Sequence, residues 1–267
     1  MPRTSTSVLS EPEDFAAALR GDGVVGVLVT GEGKFRARLT QVVLDEICLT
    51  AGEEEQPRCA FVIIPDDTVL IALPTGRGPW PVWGGIAIGA HQIITLGPSE
   101  RLHVRTSGPS CWGSVRISAE TLARYSCALM SAPLLISGVA RWRPQRTVLR
   151  NLLSLHRAAI HAAETRSSVI VNADAAHGLE QQLIYALIEC LAPSLRDQET
   201  STDHRHRNMS AQFEDMLSDE PQRSLSDICA ALHISEATLE ACCRQHLGTS
   251  PSRYRRLRGK AGNVGQD

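Results

Sequence analysis

Between Val24 and Ser118 the chain runs through one short apolar or alternating segment after another, and turn residues interrupt each before it reaches helical length. Val24 to Val29 stops at Thr30, Gly31, Glu32 and Gly33; Phe35, Ala37 and Leu39 alternate with basic or polar residues; Phe61 to Ile64 stops at Pro65, Asp66 and Asp67. Val69 to Leu73 stops at Pro74 and the residues up to Gly78, and Ile86 to Ile88, Gln92 to Leu96, Leu102 to Arg105 and Ser114 to Ile117 continue the series. Roughly eight to ten strands with no helical segment between them predict an antiparallel barrel or sandwich, because parallel neighbours need long crossovers.

After Ser118 the period turns helical. Ser118 is placed to cap a helix through Met130, and Gln145 to Glu164 sets Val148, Leu152, Leu155, Ala159 and Ile160 on one face. Ser167 to Asn172 is a short β-branched run, and Leu179 to Leu191 forms another helix whose apolar Leu183, Ile184, Leu187 and Ile188 are expected to make a dimer contact. Ser194 to Asn208 has no apolar period and reads as a linker. The expectation is an α+β chain: a β-rich sensor and dimerisation region with trailing helices over residues 1–193, a linker over 194–208, a small all-α unit over 209–258 and a polar tail over 259–267.

A net charge of −2 gives no global field toward nucleic acid, so any DNA contact must come from a local patch. Eight cysteines are scattered, and Cys48, Cys127, Cys190 and Cys229 sit in apolar runs, as reduced core thiols do. No stretch approaches the ~20 apolar residues of a membrane span. Met1 to Asp14 is polar and acidic toward its end, with no apolar stretch following a basic start as in a signal peptide, so a cytoplasmic protein is expected. G-x-S-x-G and the P-loop are missing from the sequence, and the expectation is that the protein is not an enzyme and takes no cofactor.

The C-terminal unit is the most informative part. Phe213, Met216 and Leu217 give a first short helix. Ser224 caps a second, with Asp227 three residues on and Leu225, Ile228, Cys229 and Leu232 facing the core. His233, Ile234 and Ser235 form the break before a third helix, which turns Leu239, Cys242, Cys243 and Leu247 inward and closes at Gly248. Helix, tight turn and helix at this length make a helix-turn-helix, whose second helix can enter the major groove. A fourth helix opens with Ser250 and Pro251 and carries Arg253, Arg255, Arg256, Arg258 and Lys260, a run suited to phosphates.

Ser224 to Tyr254 resembles the first helix-turn-helix of AraC/XylS-type bacterial transcription regulators, through Leu225, Ile228, the small Cys229, Leu232, Ser235, Leu239 and the closure Gly248-x-Ser250-Pro251-x-x-Tyr254. The β-rich part is similar, more loosely, to the cupin-like sensor domain of such regulators. The resemblance implies an effector-responsive regulator that binds double-stranded DNA as a homodimer, without membrane contact. Ser235, Thr238, Arg244 and Gln245 would lie on the presented part of the recognition helix, with Arg253, Arg255 and Arg256 on the backbone. Two departures stand out. Ala237, Glu240, Ala241 and Cys243 replace the basic and aromatic residues usual there, and the chain stops nine residues after Arg258, so the second unit of the family is absent and a truncated, impaired product is expected.

Trp80, Trp83, Trp112 and Arg105 are candidates for an effector cavity, the competing reading being ordinary core. Cys229 with His233, and Cys242, Cys243 with His246, lack the usual zinc spacings, so no metal is expected. His204 and His206 fall in the linker as solvated side chains. His91 and His103 stand alone on separate predicted strands, without the H-x-H of a metal-dependent cupin enzyme. The rival reading is a sensor and dimerisation module without effective DNA binding, and the metal cupin ranks third.

Overall fold

The strand series folds into two antiparallel sheets laid face to face. The computed structural model describes residues 2–165, 170, 172–192, 195–198 and 201–263. Ten strands lie between Val24 and Ser118: β2 (Val24–Val29), β3 (Ala37–Val43), β4 (Ile47–Glu54), β5 (Arg58–Ile63), β6 (Thr68–Leu73), β7 (Val82–Trp83), β8 (Ile86–Ala87), β9 (Ile93–Leu96), β10 (Arg101–Arg105) and β11 (Ser110–Ser118). With β1 (Arg3–Leu9), β12 (Val139–Arg143) and β13 (Leu195–Gln198) they form an eight-stranded sheet ordered β1-β3-β4-β11-β6-β9-β12-β13 and a five-stranded sheet ordered β2-β5-β10-β7-β8.

Side-chain parity sorts each strand between two cores. On β6, Leu70 and Ala72 point into the space between the sheets, where Ala60, Val62, Leu102 and Val104 meet them. Val69, Ile71 and Leu73 point the other way, into a second core roofed by helices. All six residues of β6 are therefore buried, which explains an apolar run without alternation. The roof is α2 (Ala119–Met130), α3 (Arg146–Thr165) and α4 (Ala173–Leu191), preceded in the chain by the short α1 (Pro12–Ala18). Ser118 caps α2 by accepting from the Thr121 amide at 3.0 Å.

The structure departs from the sequence expectations at four places. The stretch after Ser118 is not purely helical, since β12 extends the large sheet beside β9. Residues 201–208, assigned to a linker, are the first turns of α5 (Ser201–Asp219), where Arg207 is buried against Glu100. Leu183, Ile184, Leu187 and Ile188 of α4 are spent inside their own chain, against the core that α3 and the large sheet share, and are not a free dimer face. Cys127 lies on the solvent side of α2 and is exposed, unlike Cys48, Cys190 and Cys229. The β-branched run Ser167 to Asn172 lies almost wholly outside the described residues.

The last three helices are α6 (Leu225–Leu232), α7 (Glu236–His246) and α8 (Pro251–Asn263). With α5 they make a third core of Phe213, Leu217, Ile228, Cys229, Leu239, Cys243, Leu247 and Tyr254, to which the small sheet adds Cys59 and, from its edge, Leu28. The helical unit thus sits on the outer face of the five-stranded sheet. Among the described residues no helix is long and apolar enough to cross a membrane.

Candidate nucleic-acid interface

Capping residues set the geometry of α6 and α7. The Ser224 hydroxyl accepts from the Asp227 amide at 3.1 Å and donates to the Asp227 carboxylate at 2.6 Å, so cap and first turn lock each other. His233 then takes a left-handed conformation, φ 53°, which lets the Ile234 amide reach back to the Cys229 carbonyl at 3.0 Å. Two residues later Ser235 caps α7 through the Thr238 amide at 3.1 Å. The helix closes at Gly248, φ 73°, where a Cβ would stand 3.0 Å from the Arg105 side chain. Left-handed backbone and close approach both call for glycine there.

Within α7 the inward face is Leu239, Cys242, Cys243 and His246, all buried, while Glu236, Ala237, Ala241 and Arg244 are exposed. Ser235 lies at the exposed start, its hydroxyl shared with Thr238. Arg244 is paired with Glu240 one turn earlier at 2.9 Å. Gln245 is half-buried and faces inward: its side chain meets His206 at 3.2 Å, and its carbonyl accepts from Arg105 Nε at 3.0 Å. On α8, Arg253 donates to the Thr30 carbonyl, Arg255 to the Arg223 carbonyl, and Arg258 pairs with Glu214. Arg256 is exposed.

Of the residues that seat this unit on the sandwich, sequence singled out His103 as a lone strand histidine and Tyr254 in the family closure, but not Glu214 or Ser210. His103 of β10, fully buried, points Nε2 at Glu214 of α5 at 3.3 Å and Nδ1 at Ser210 at 3.4 Å. Tyr254 of α8 donates its hydroxyl to the same Glu214 oxygen at 2.6 Å. Burial alone raises the Glu214 pKa, but the bond and charge of His103, with Arg258 and Tyr254, bring the carboxyl below its ordinary value. Burial lifts the Tyr254 phenol well above its own. Arg101–Asp215 and Arg207–Glu100 ion pairs flank this network. The Gly-x-Ser-Pro-x-x-Tyr closure was the one signal pointing to Tyr254.

His246 is the discordant member. It is fully buried, and neither ring nitrogen has a hydrogen-bond partner among the described residues. Burial, with the nearby His103 and His206, pushes its pKa down to about 4.

The four effector candidates do not come together. Trp83 and Trp112 line the interior between the sheets with Asp22 and Arg58, in a void of about 20 Å³, room for about one water. Trp80 lies at the margin, its indole donating to the Thr75 carbonyl, and Arg105 leaves the interior for α7. A larger space of about 600 Å³ lies between the small sheet and the helical unit, lined among others by Val25, Phe61, Ile63, Arg101, Tyr254 and Arg258. His91 sits in the turn before β9, not on a strand. Among the described residues no three metal-ligating side chains converge.

No protein-family model matches this sequence, and no curated protein matches it. In fold it is similar to the AraC-like transcriptional activator CuxR, with a TM-score of 0.53 and 13% identity over 98% of this chain and 95% of that one. ToxT from Vibrio cholerae aligns at a TM-score of only 0.23 with 10% identity, too low to place any element. The arrangement of antiparallel sheets followed by helices is thus similar in fold to that of CuxR.

Proposed function

We propose that this protein is a DNA-binding transcription regulator of AraC/XylS type, with a cupin-like sandwich over residues 1–193 and a helix-turn-helix formed by α6 and α7. The observation that carries the reading is α7 itself: a capped helix after a three-residue turn whose outer side, Ser235, Glu236, Ala237, Ala241 and Arg244, is open to a groove. The likeness of fold to an AraC-like activator over nearly the whole chain supports it. The regulator acts as a homodimer in the cytoplasm and answers a small-molecule effector. The space beneath α8, at about 600 Å³, has the size of a ligand site, and an occupant there would bear on how the helical unit is seated.

A second reading, a sensor without effective DNA binding, is favoured by one observation. Arg253, Arg255 and Arg258 are committed within the chain, and Glu240 neutralises Arg244. Titration of the full chain against a panel of duplexes at two ionic strengths separates the two. The regulator reading expects duplex binding whose logarithm falls with log salt at about 0.9 per phosphate engaged, from few phosphates. Absence of binding to any duplex at low salt, with or without candidate effectors, would leave the sensor module.

A further inference from the structure

Of the sheet edges among the described residues, one is long and regular, although α1 and α3 touch its strand. Natural proteins blunt edge strands with bulges, prolines, charges or extreme shortness, because a free row of backbone groups recruits another strand. In the small sheet β2 carries a register shift between Val24 and Gly26 and is packed by α1 and α8, and β8 is two residues long. In the large sheet β13 has four residues. β1 is different: seven residues, Arg3-Thr-Ser-Thr-Ser-Val-Leu9, pair with β3 without a shift, and the strand holds no proline. Its outer side carries no partner among the described residues, and Val8 is 65% exposed.

We propose that β1 is a self-association edge, at which two copies of this chain join their large sheets antiparallel about a two-fold axis at Thr6. The charges along the strand select a second copy in that orientation. Arg3 stands at one end; exposed Glu11, Glu13 and Asp14 stand at the other, in the first turn of α1 and its cap. Antiparallel pairing brings the basic end of each copy to the acidic end of the other, whereas parallel pairing stacks like on like. About Thr6 the register sets Thr6 on Thr6, Ser5 on Ser7, Thr4 on Val8 and Arg3 on Leu9, with Glu11 one diagonal step from Arg3. Hydroxyl and β-branched pairs of this kind stabilise antiparallel ladders, and no like charges face each other. An axis normal to the sheet keeps both α3 helices on one face, so α3, which packs over β1 and β3, meets its counterpart beside the ladder. The proposal holds whether or not the protein binds DNA, and it supplies the dimer contact that the buried face of α4 cannot.

Sedimentation velocity of the full chain at micromolar concentration tests it. The wild type is expected to dimerise; T6K and T6E each place like charges across the axis and weaken the dimer about fivefold. An equimolar mixture of T6K and T6E restores it, which a misfolded variant would not do. The double variant S5K/S7E sets opposite charges across the axis twice and tightens the dimer. A monomeric wild type, T6K and T6E that dimerise like wild type, or a mixture no tighter than its components would overturn the proposal.

Discussion

Arg253 Nη2 donates to the backbone carbonyl of Thr30 at 2.8 Å, so a guanidinium on the basic helix is fastened to the edge of the sandwich. Arg255 is held in the same way by the Arg223 carbonyl at 2.9 Å. No such tie holds Arg256 among the described residues. If duplex DNA binds the docked form, Arg256→Ala lowers the slope of log affinity against log salt by about 0.9, one phosphate's share, while Arg253→Ala and Arg255→Ala leave it unchanged. Fluorescence anisotropy across a salt series reads this directly. Equal losses for all three would mean that the helical unit leaves the sandwich to bind.

Tyr254→Phe deletes a hydrogen bond to a carboxylate that stays buried. Such bonds contribute about 1.5–3 kcal/mol, and both partners here are nearly inaccessible to water. Urea unfolding of the variant is expected to show a loss of that size, with hydrogen exchange quickening first in α8. An unchanged midpoint would show that Glu214 is already satisfied by His103.

His246 makes stability depend on pH with a definite sign. Its pKa is near 4 when folded and near 6.5 when unfolded, so between these values the unfolded chain binds the extra proton. The favourable term is complete above pH 6.5 and is lost as pH falls to 4, a change of about 3 kcal/mol at one pKa unit per 1.36 kcal/mol. His156, on the buried face of α3 and with its own pKa near 4, adds a loss of the same sign. His246→Leu removes two unpartnered buried nitrogens, so it is expected to stabilise the protein at neutral pH by about 1 kcal/mol or more and to flatten the acid limb. A destabilised His246→Leu would point to a partner that binds the imidazole.

Gly52 faces Trp112 across the β4–β11 pair, and a Cβ at Gly52 would stand 2.4 Å from the indole. Trp112 cannot step aside, since its indole nitrogen is bonded to buried Glu54, which also holds Arg58. Gly52→Ala therefore lowers stability by about 1–3 kcal/mol or more, through overpacking. Calorimetry checks it; an unshifted melting temperature would show that the sheets can part to admit a methyl group.

Most strands from Val24 to Ser118 were legible because turn residues cut them off, though β4 and β7 were not among the runs read, and the caps Ser118, Ser224 and Ser235 were legible because a hydroxyl before an apolar period has few other uses. β1 was not legible: Thr4, Ser5, Thr6 and Ser7 are polar on both faces, as an outermost strand can be, and periodicity has nothing to register. The first half of α5 escaped for a related reason. Its first turns are held by Arg207 against Glu100 and by His206 against Gln245, and polar pairs about 40 to 107 residues apart leave no mark on a hydropathy pattern. The helices expected to carry Thr238, Arg244, Gln245, Arg253, Arg255 and Arg256 are present, but the commitments of these side chains within the chain could not be read. Glu214 meets His103 across 111 positions, and neither residue type announces the other.

The third core also bears on how this architecture can be recombined. Cys59 of β5 and Leu28 of β2 are walls of the same apolar compartment as Phe213, Leu239 and Tyr254, so the seam between the two parts runs through packed side chains. Grafting these helices onto a foreign sensor would leave that compartment open on one side, and grafting a foreign head here would strip cover from the small sheet. Exchange of either part alone would therefore have to be matched by residues that refill this seam.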